Sequence, residues 1–233
     1  MRSLWSLLIS VAALAPAPAL AAPPPLPQGT FEIQFDVNCE GTDLAEVLER
    51  LEISGASYQM TETSKGKGFY ALLGTAKRTS RGSIVNGVLQ PAEFADERSG
   101  RDTARAWFAW KAQTITMQYK GNKGSEPMPP NSQDRLSFLL AVALMPGRVQ
   151  NMKLSVFDGR GQSRHEYDVG PRERVKTPAG DFDAVRVTRR AEPGAKDSAD
   201  LWVAAEIGLP VRLVHVERDG KRCEHVAKRI SRQ

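Results

Sequence analysis

Beyond the first thirty residues, a single stretch of this chain, Leu136 to Met145, stays apolar long enough to form a buried helix. Nearly everything else changes between apolar and polar at every second residue, and glycine or proline soon interrupts it. Alternation of period two gives a strand one dry face and one wet face, whereas a helix needs a stripe at every third or fourth residue. The pattern confines the chain to antiparallel β structure with one helix packed against it.

The clearest strand is Thr30 to Glu40, where Phe31, Ile33, Phe35, Val37 and Cys39 share one face and Glu32, Gln34, Asp36, Asn38 and Glu40 the other. Near the C-terminus, residues 211–217 and 222–230 flank Asp219-Gly220, a dipeptide suited to a two-residue hairpin turn. That turn predicts Glu217 opposite Arg222, Val216 opposite Cys223 and His215 opposite Glu224. Further strands are expected at 45–53, 57–63, 68–75, 82–88, 91–99, 103–110, 114–119, 151–158, 162–169, 173–177, 181–189 and 200–205, with 121–131 as a polar loop. Ser132 or Asp134 should cap a helix over 135–145 that Pro146-Gly147 stops. Being apolar nearly all round, that helix is expected inside the sheet, as a plug or as an ordinary core helix.

The N-terminus carries Arg2, then an apolar run from Leu4 to Leu14, then Ala19-Leu20-Ala21. Charged end, short apolar core and small-residue cleavage site are the layout of a secretory signal peptide. Pro16 and Pro18 interrupt the run, which falls short of the roughly 20 apolar residues of a membrane span. The expected organisation is a signal peptide over 1–21, a proline-rich linker over 22–29 and one β-rich domain over 30–233. The cleavage site has no cysteine for a lipid anchor, and no later stretch approaches spanning length. A soluble periplasmic protein is the expectation.

The formal charge of +5 is mild and spread along the chain, without a basic stripe interleaved with aromatics, which argues against nucleic acid as a partner. Cys39 and Cys223 are the two cysteines, both on apolar strand faces. In an oxidising compartment they can bridge the first strand to the last; two separate buried thiols are the alternative, and sequence alone does not choose. A metal site of Cys39, Cys223 and His225 lacks a fourth ligand and the usual short spacing, so no metal is expected. Of the three histidines, His165 reads as a solvated strand residue, and Ser163, His165 and Asp168 carry no motif that makes them a triad. With no phosphate loop or cofactor fingerprint, no catalytic residue and no cofactor are assigned, and an enzyme is not the favoured reading.

Several short motifs occur in one order: Gly82 and Gly87-Val88-Leu89-Gln90-Pro91 with Phe94, then Gln133-Asp134-Arg135-Leu136-Ser137-Phe138. Thr177-Pro178-Ala179-Gly180-Asp181-Phe182, Trp202 and Gly208-Leu209-Pro210-Val211 follow. In this order the chain resembles the bacterial exported family called domain of unknown function 3108, over roughly residues 30 to 230. The resemblance implies a curved antiparallel sheet or open β-barrel around one buried helix, similar to periplasmic lipoprotein carriers. It implies no activity, and fold alone does not fix one. Asp134, Leu136 and Ser137 belong to its densest motif, with Asp134 suited to capping the helix.

The expected function is carriage of a lipid or other apolar ligand in a cleft lined by Phe31, Phe35, Trp107, Trp110, Phe138 and Trp202. The alternative is a cell-envelope assembly or interaction factor that engages a protein partner through an edge strand or the proline-rich arm.

Overall fold

A computed structural model describes residues 28–145, 147, 149–191, 194 and 197–233. The expected signal peptide, the linker as far as Pro27, and Pro146 of the expected helix stop lie outside the described residues.

The first half of the chain is a meander of eight strands: β1 (Gly29–Cys39), β2 (Thr42–Ser54), β3 (Ser57–Gly66), β4 (Thr75–Val85), β5 (Val88–Arg98), β6 (Ala104–Ala109), β7 (Thr114–Tyr119) and β8 (Asn122–Pro127). The second half begins with β9 (Ser132–Asp134) and the helix α1 (Ser137–Ala143). It continues with β10 (Asn151–Phe157), β11 (Gln162–Thr177), β12 (Gly180–Arg189), β13 (Ser198–Ala204), β14 (Leu209–Val216) and β15 (Arg222–Arg232). All fifteen strands form one sheet, in the order β8 through β1, then β15 down to β9. Neighbours run antiparallel except β9 and β10, which are parallel. The protein is thus mainly β, a large curled sheet around one helix.

Tight turns set the register. Val85 and Val88 pair across Asn86-Gly87, whose φ of 51° and 74° fit the turn type that matches strand twist. The expected strand over 82–88 is therefore divided between β4 and β5. The last hairpin differs from expectation by one residue: His215 pairs with Cys223 and Val216 with Arg222. Its loop is Arg218-Asp219-Gly220, closed by Gly220 N–H to Glu217 O and Glu217 N–H to Lys221 O. Gly220 alone takes a left-handed φ, 89°, so this is a three-residue loop with a bulge rather than a two-residue turn.

Three other expectations are corrected. Residues 68–73 form a short 3-10 helix rather than a strand. The polar stretch 121–131 contains the exposed edge strand β8, set by Lys120-Gly121. The helix is seven residues long because 132–134 is drawn into a parallel ladder with Ser155 to Phe157.

The apolar faces of β1 and β2 meet those of β3, β5 and β14 in one core, to which Leu136, Leu140 and Ala141 belong. Val142, Ala143 and Met145 complete a second cluster with Leu154, Val156, Tyr167, Val187 and Leu201. The helix therefore lies inside the curl and divides it.

Candidate functional site

The register of β2 to β5 places a row of charge on the inner face. Glu49 faces Glu62, Glu62 faces Arg78, and Arg78 faces Asp96, each pair directly across neighbouring strands. The same faces are otherwise apolar: Val47, Leu51 and Ile53 on β2, and Tyr58 and Met60 on β3, are buried. Arg78 pairs with Glu62 through one guanidinium nitrogen, while its Nε lies 3.7 Å from Asp96 and, though buried, has no hydrogen-bond partner. Asp96 is fully buried and takes Nη2 of Arg98 and Nη1 of Arg160, both at 2.9 Å. Burial alone would raise its carboxyl, but hydrogen bonds from Arg98 and Arg160 with the charge of Arg78 hold it below the ordinary range. Burial, reinforced by Glu62, pushes the Glu49 carboxyl well above its ordinary range, which favours its protonated form.

One edge of the curl, β9, packs behind this row against β4 and β5. Asp134 Oδ1 accepts the backbone N–H groups of Leu136 and Ser137 at 2.8 and 2.7 Å, and Ser137 Oγ accepts the N–H of Asp134 at 2.9 Å. These reciprocal bonds fix the turn that leads into α1, whose own N-cap position, Leu136, has no side-chain cap bond. The other carboxylate oxygen accepts Ser80 Oγ of β4 at 2.6 Å, and Ser80 contacts the Tyr58 hydroxyl at 3.2 Å. Burial raises Asp134 to about 6 despite these bonds. Gln133 donates to the Leu89 carbonyl at 2.9 Å. Gly159 sits so close to β6 that a Cβ there would lie 2.6 Å from Arg105 N. Thus side chains, not a backbone ladder, hold β9 and the β10–β11 turn against β4 to β6.

Arg135 lies in this turn and is solvent-exposed, although Glu62, Arg78, Arg98 and Asp158 all act on it electrostatically. Its backbone N–H is held by the Phe157 carbonyl at 3.0 Å. All three histidines share the interior side. His165, expected in solvent, is packed 6.3 Å from the Phe138 ring and contacts Ser163 Oγ at 3.0 Å. Burial, then the charges of Arg189 and Arg135, push it down to about 4. Asp168 pairs instead with Arg190, at 2.5 and 2.6 Å, so no triad forms. His215 and His225 lie 5.6 Å apart, and burial pushes His225 down to about 4.

Next to the charged row lies a mainly apolar recess lined by Phe31, Ile33, Leu51, Met60, Leu139 and Leu140, with Glu49 and Arg50 also in its wall. Its free space, about 20 Å³, holds one water molecule. Of the residues expected to line a cleft, Phe31 borders the recess, Phe35 is buried on the same strand face, and Phe138 is packed inside beside Tyr167. Trp107 alternates with buried Ala106 and Phe108 and lies on the outer face beneath Lys123. Trp202 is buried in the first core cluster and pairs across strands with Arg186 and Arg212, whose guanidiniums stack 5.4 and 4.7 Å from its ring. Trp110 is anchored by its N–H to the Pro91 carbonyl at 2.6 Å. Leu136 and Ser137 are buried with Asp134.

Cys39 and Cys223 are joined in a disulfide between neighbouring strands. His215, Glu217 and Cys223 bring potential metal-ligand atoms within 4.8 Å of one another, but the Cys223 sulfur is committed to the bridge. Sequence reasoning passed over Glu49, Glu62, Arg78, Asp96 and Arg135. The available signal was phase: Glu49 interrupts the sequence Val47, Leu51, Ile53 on an otherwise apolar face, and Glu62 follows Tyr58 and Met60.

Fold and site together define a curled sheet with a guarded interior. The chain belongs to the family described as protein of unknown function, DUF3108, which matches residues 30–222. No curated protein matches it. It is similar to a β-barrel-like protein of domain of unknown function DUF1849 from Brucella abortus, with TM-score 0.58, 8% identity, and coverage of 88% of this chain and 98% of that one. A putative outer membrane lipoprotein-sorting protein domain from Vibrio parahaemolyticus aligns over 88% of this chain and 86% of its own, with TM-score 0.26 and 9% identity, too slight a likeness to argue from.

Proposed function

We propose that this protein carries a lipid or other apolar ligand through the periplasm without catalysing a reaction on it. One observation carries the reading: a mainly apolar recess lies inside a curled sheet, against a helix and next to a row of charge. With room for one water, the recess admits an acyl chain only when α1 moves from Phe31 and Met60. The means are at hand, because α1 is short and the turn that leads into it rests on Asp134. The disulfide supports an oxidising compartment. Among the described residues no helix is long and apolar enough to cross a membrane.

The test is mass spectrometry of an organic extract of the protein purified from periplasm without detergent. A stoichiometric apolar molecule is the expected result. A clean extract, repeated after incubation with candidate lipids, overturns the reading. It would favour the second one, engagement of an envelope protein, for which the exposed Phe69 and Leu72 offer a contact: they are 81% and 79% accessible beside the β3–β4 end of the sheet.

A further inference from the structure

We propose that Arg135 is the counter-charge for an anionic headgroup, carboxylate or phosphate, on an amphiphile whose tail follows α1 into the recess. The proposal rests on the carrier reading and names the chemistry of its ligand. Arg135 stands on a fixed base: Asp134 before it and Leu136 and Ser137 after it are tied together, and its own N–H is bound to Phe157. The guanidinium makes no hydrogen bond or ion pair among the described residues.

The two nearby carboxylates are already engaged. Glu62 pairs with Arg78. Asp158 Oδ1 accepts the backbone N–H groups of Arg160 and Gly161 at 2.9 and 3.0 Å, and its other oxygen lies 3.7 Å from the Arg160 guanidinium. Arg78 and Arg98 repel Arg135. A second cation here is short of an acceptor as well, since the buried Nε of Arg78 has no hydrogen bond. The other two acids of this cluster are taken as well: Asp96 by Arg98 and Arg160, and the Asp134 carboxylate by Leu136, Ser137 and Ser80. An anion at Arg135 supplies the acceptor its guanidinium lacks, and a planar guanidinium suits the two oxygens of a carboxylate or phosphate.

The tail follows from what lies next to the charge. Leu139, four residues after Arg135, and Leu140 form one wall of the recess, and Glu49, the cross-strand partner of Glu62, also lines it. An amphiphile with its headgroup at Arg135 has apolar surface directly behind it, which a free inorganic anion leaves unused.

Calorimetric titration of the purified protein at pH 7 with dodecyl phosphate, dodecanol, dodecyltrimethylammonium and inorganic phosphate tests this. Dodecyl phosphate should bind at least about tenfold more tightly than dodecanol, the ratio expected for a charge-assisted hydrogen bond. Arg135→Gln should abolish that preference while leaving dodecanol affinity unchanged and without lowering thermal stability; Arg135→Lys should restore part of it. If the alcohol or the cation binds as well as the phosphate ester, or Arg135→Gln keeps the preference, the headgroup assignment falls and the carrier reading stands. If inorganic phosphate binds as tightly as its dodecyl ester, the tail contributes nothing and the proposal is wrong. If no probe binds, both proposals fail.

Discussion

Two junctions bring distant parts of this chain together, and they are built differently. At β1 and β15, residues nearly two hundred positions apart share a backbone ladder, from Phe31 opposite Arg232 to Cys39 opposite Cys223, with the disulfide at its end. At the seam between β9 and the inner side of β4 and β5, the contact rests on Asp134 to Ser80, Gln133 to Leu89 and Arg160 to Asp96. A ladder distributes its strength over many similar bonds, whereas the seam depends on a few buried polar groups, each costly to leave unpaired. The first junction is suited to permanence. The second is suited to opening, and the helix and recess lie behind it.

Asp96→Ala should have the largest effect on this contrast. Removing a fully buried carboxylate leaves the arginines Arg98 and Arg160 uncompensated, at an expected cost of about 3–5 kcal/mol in urea unfolding. A cost near zero would remove the seam's main tie. Replacing both Cys39 and Cys223 by Ser should cost about 2–4 kcal/mol, since the bridge restrains a long unfolded loop. If the double variant is as stable as the oxidised wild type, the ladder rather than the bridge holds the termini.

The third prediction concerns pH. Burial raises Asp134 in the folded state to about 6, above its ordinary 3.8, so the folded protein favours the protonated form. That contribution is complete below pH 3.8 and is lost as pH rises through 6. Asn keeps the turn but cannot titrate, so the stability of wild type relative to Asp134→Asn should fall by about 2–3 kcal/mol from pH 4 to pH 7. A constant difference across that range would show that Asp134 does not take up a proton there. The histidines act in the opposite sense: His165 and His225 are held neutral at about 4, and their contribution is lost as pH falls through 6.5 towards 4. Comparing the two proteins cancels that background. The smallest effect should come from Ser80→Ala, about 1 kcal/mol, with faster hydrogen exchange confined to β9 and the first turn of α1.

Alternation made the strands legible because it is local: Thr114–Tyr119 lies where its periodicity places it, and the inward face of β1 is the expected one. Strand 122–127 was illegible because it is an edge with little to bury, so its pattern carries no phase. Capping signals placed Asp134 at the start of a helical turn, but no local pattern says that its second oxygen meets Ser80 across the seam. The charged row was hidden for the same reason. Each of Glu49, Glu62, Arg78 and Asp96 looks like an ordinary surface charge until four strands bring them into register. The strands expected at 162–169 and 173–177 are one, because a bulge lets β11 continue through Pro171.

The central place of β15 has a consequence for how the protein acquires its structure. During synthesis in chain order, β1 has β2 as its only neighbour until Arg222–Arg232 arrives. The strand carrying Phe31, Ile33, Phe35 and Val37 thus keeps an unpaired edge through most of the process, in the middle of what will become the sheet. An open apolar edge recruits other chains, and long-range strand pairing is slow, so misassembly competes with folding until the final eleven-residue strand docks.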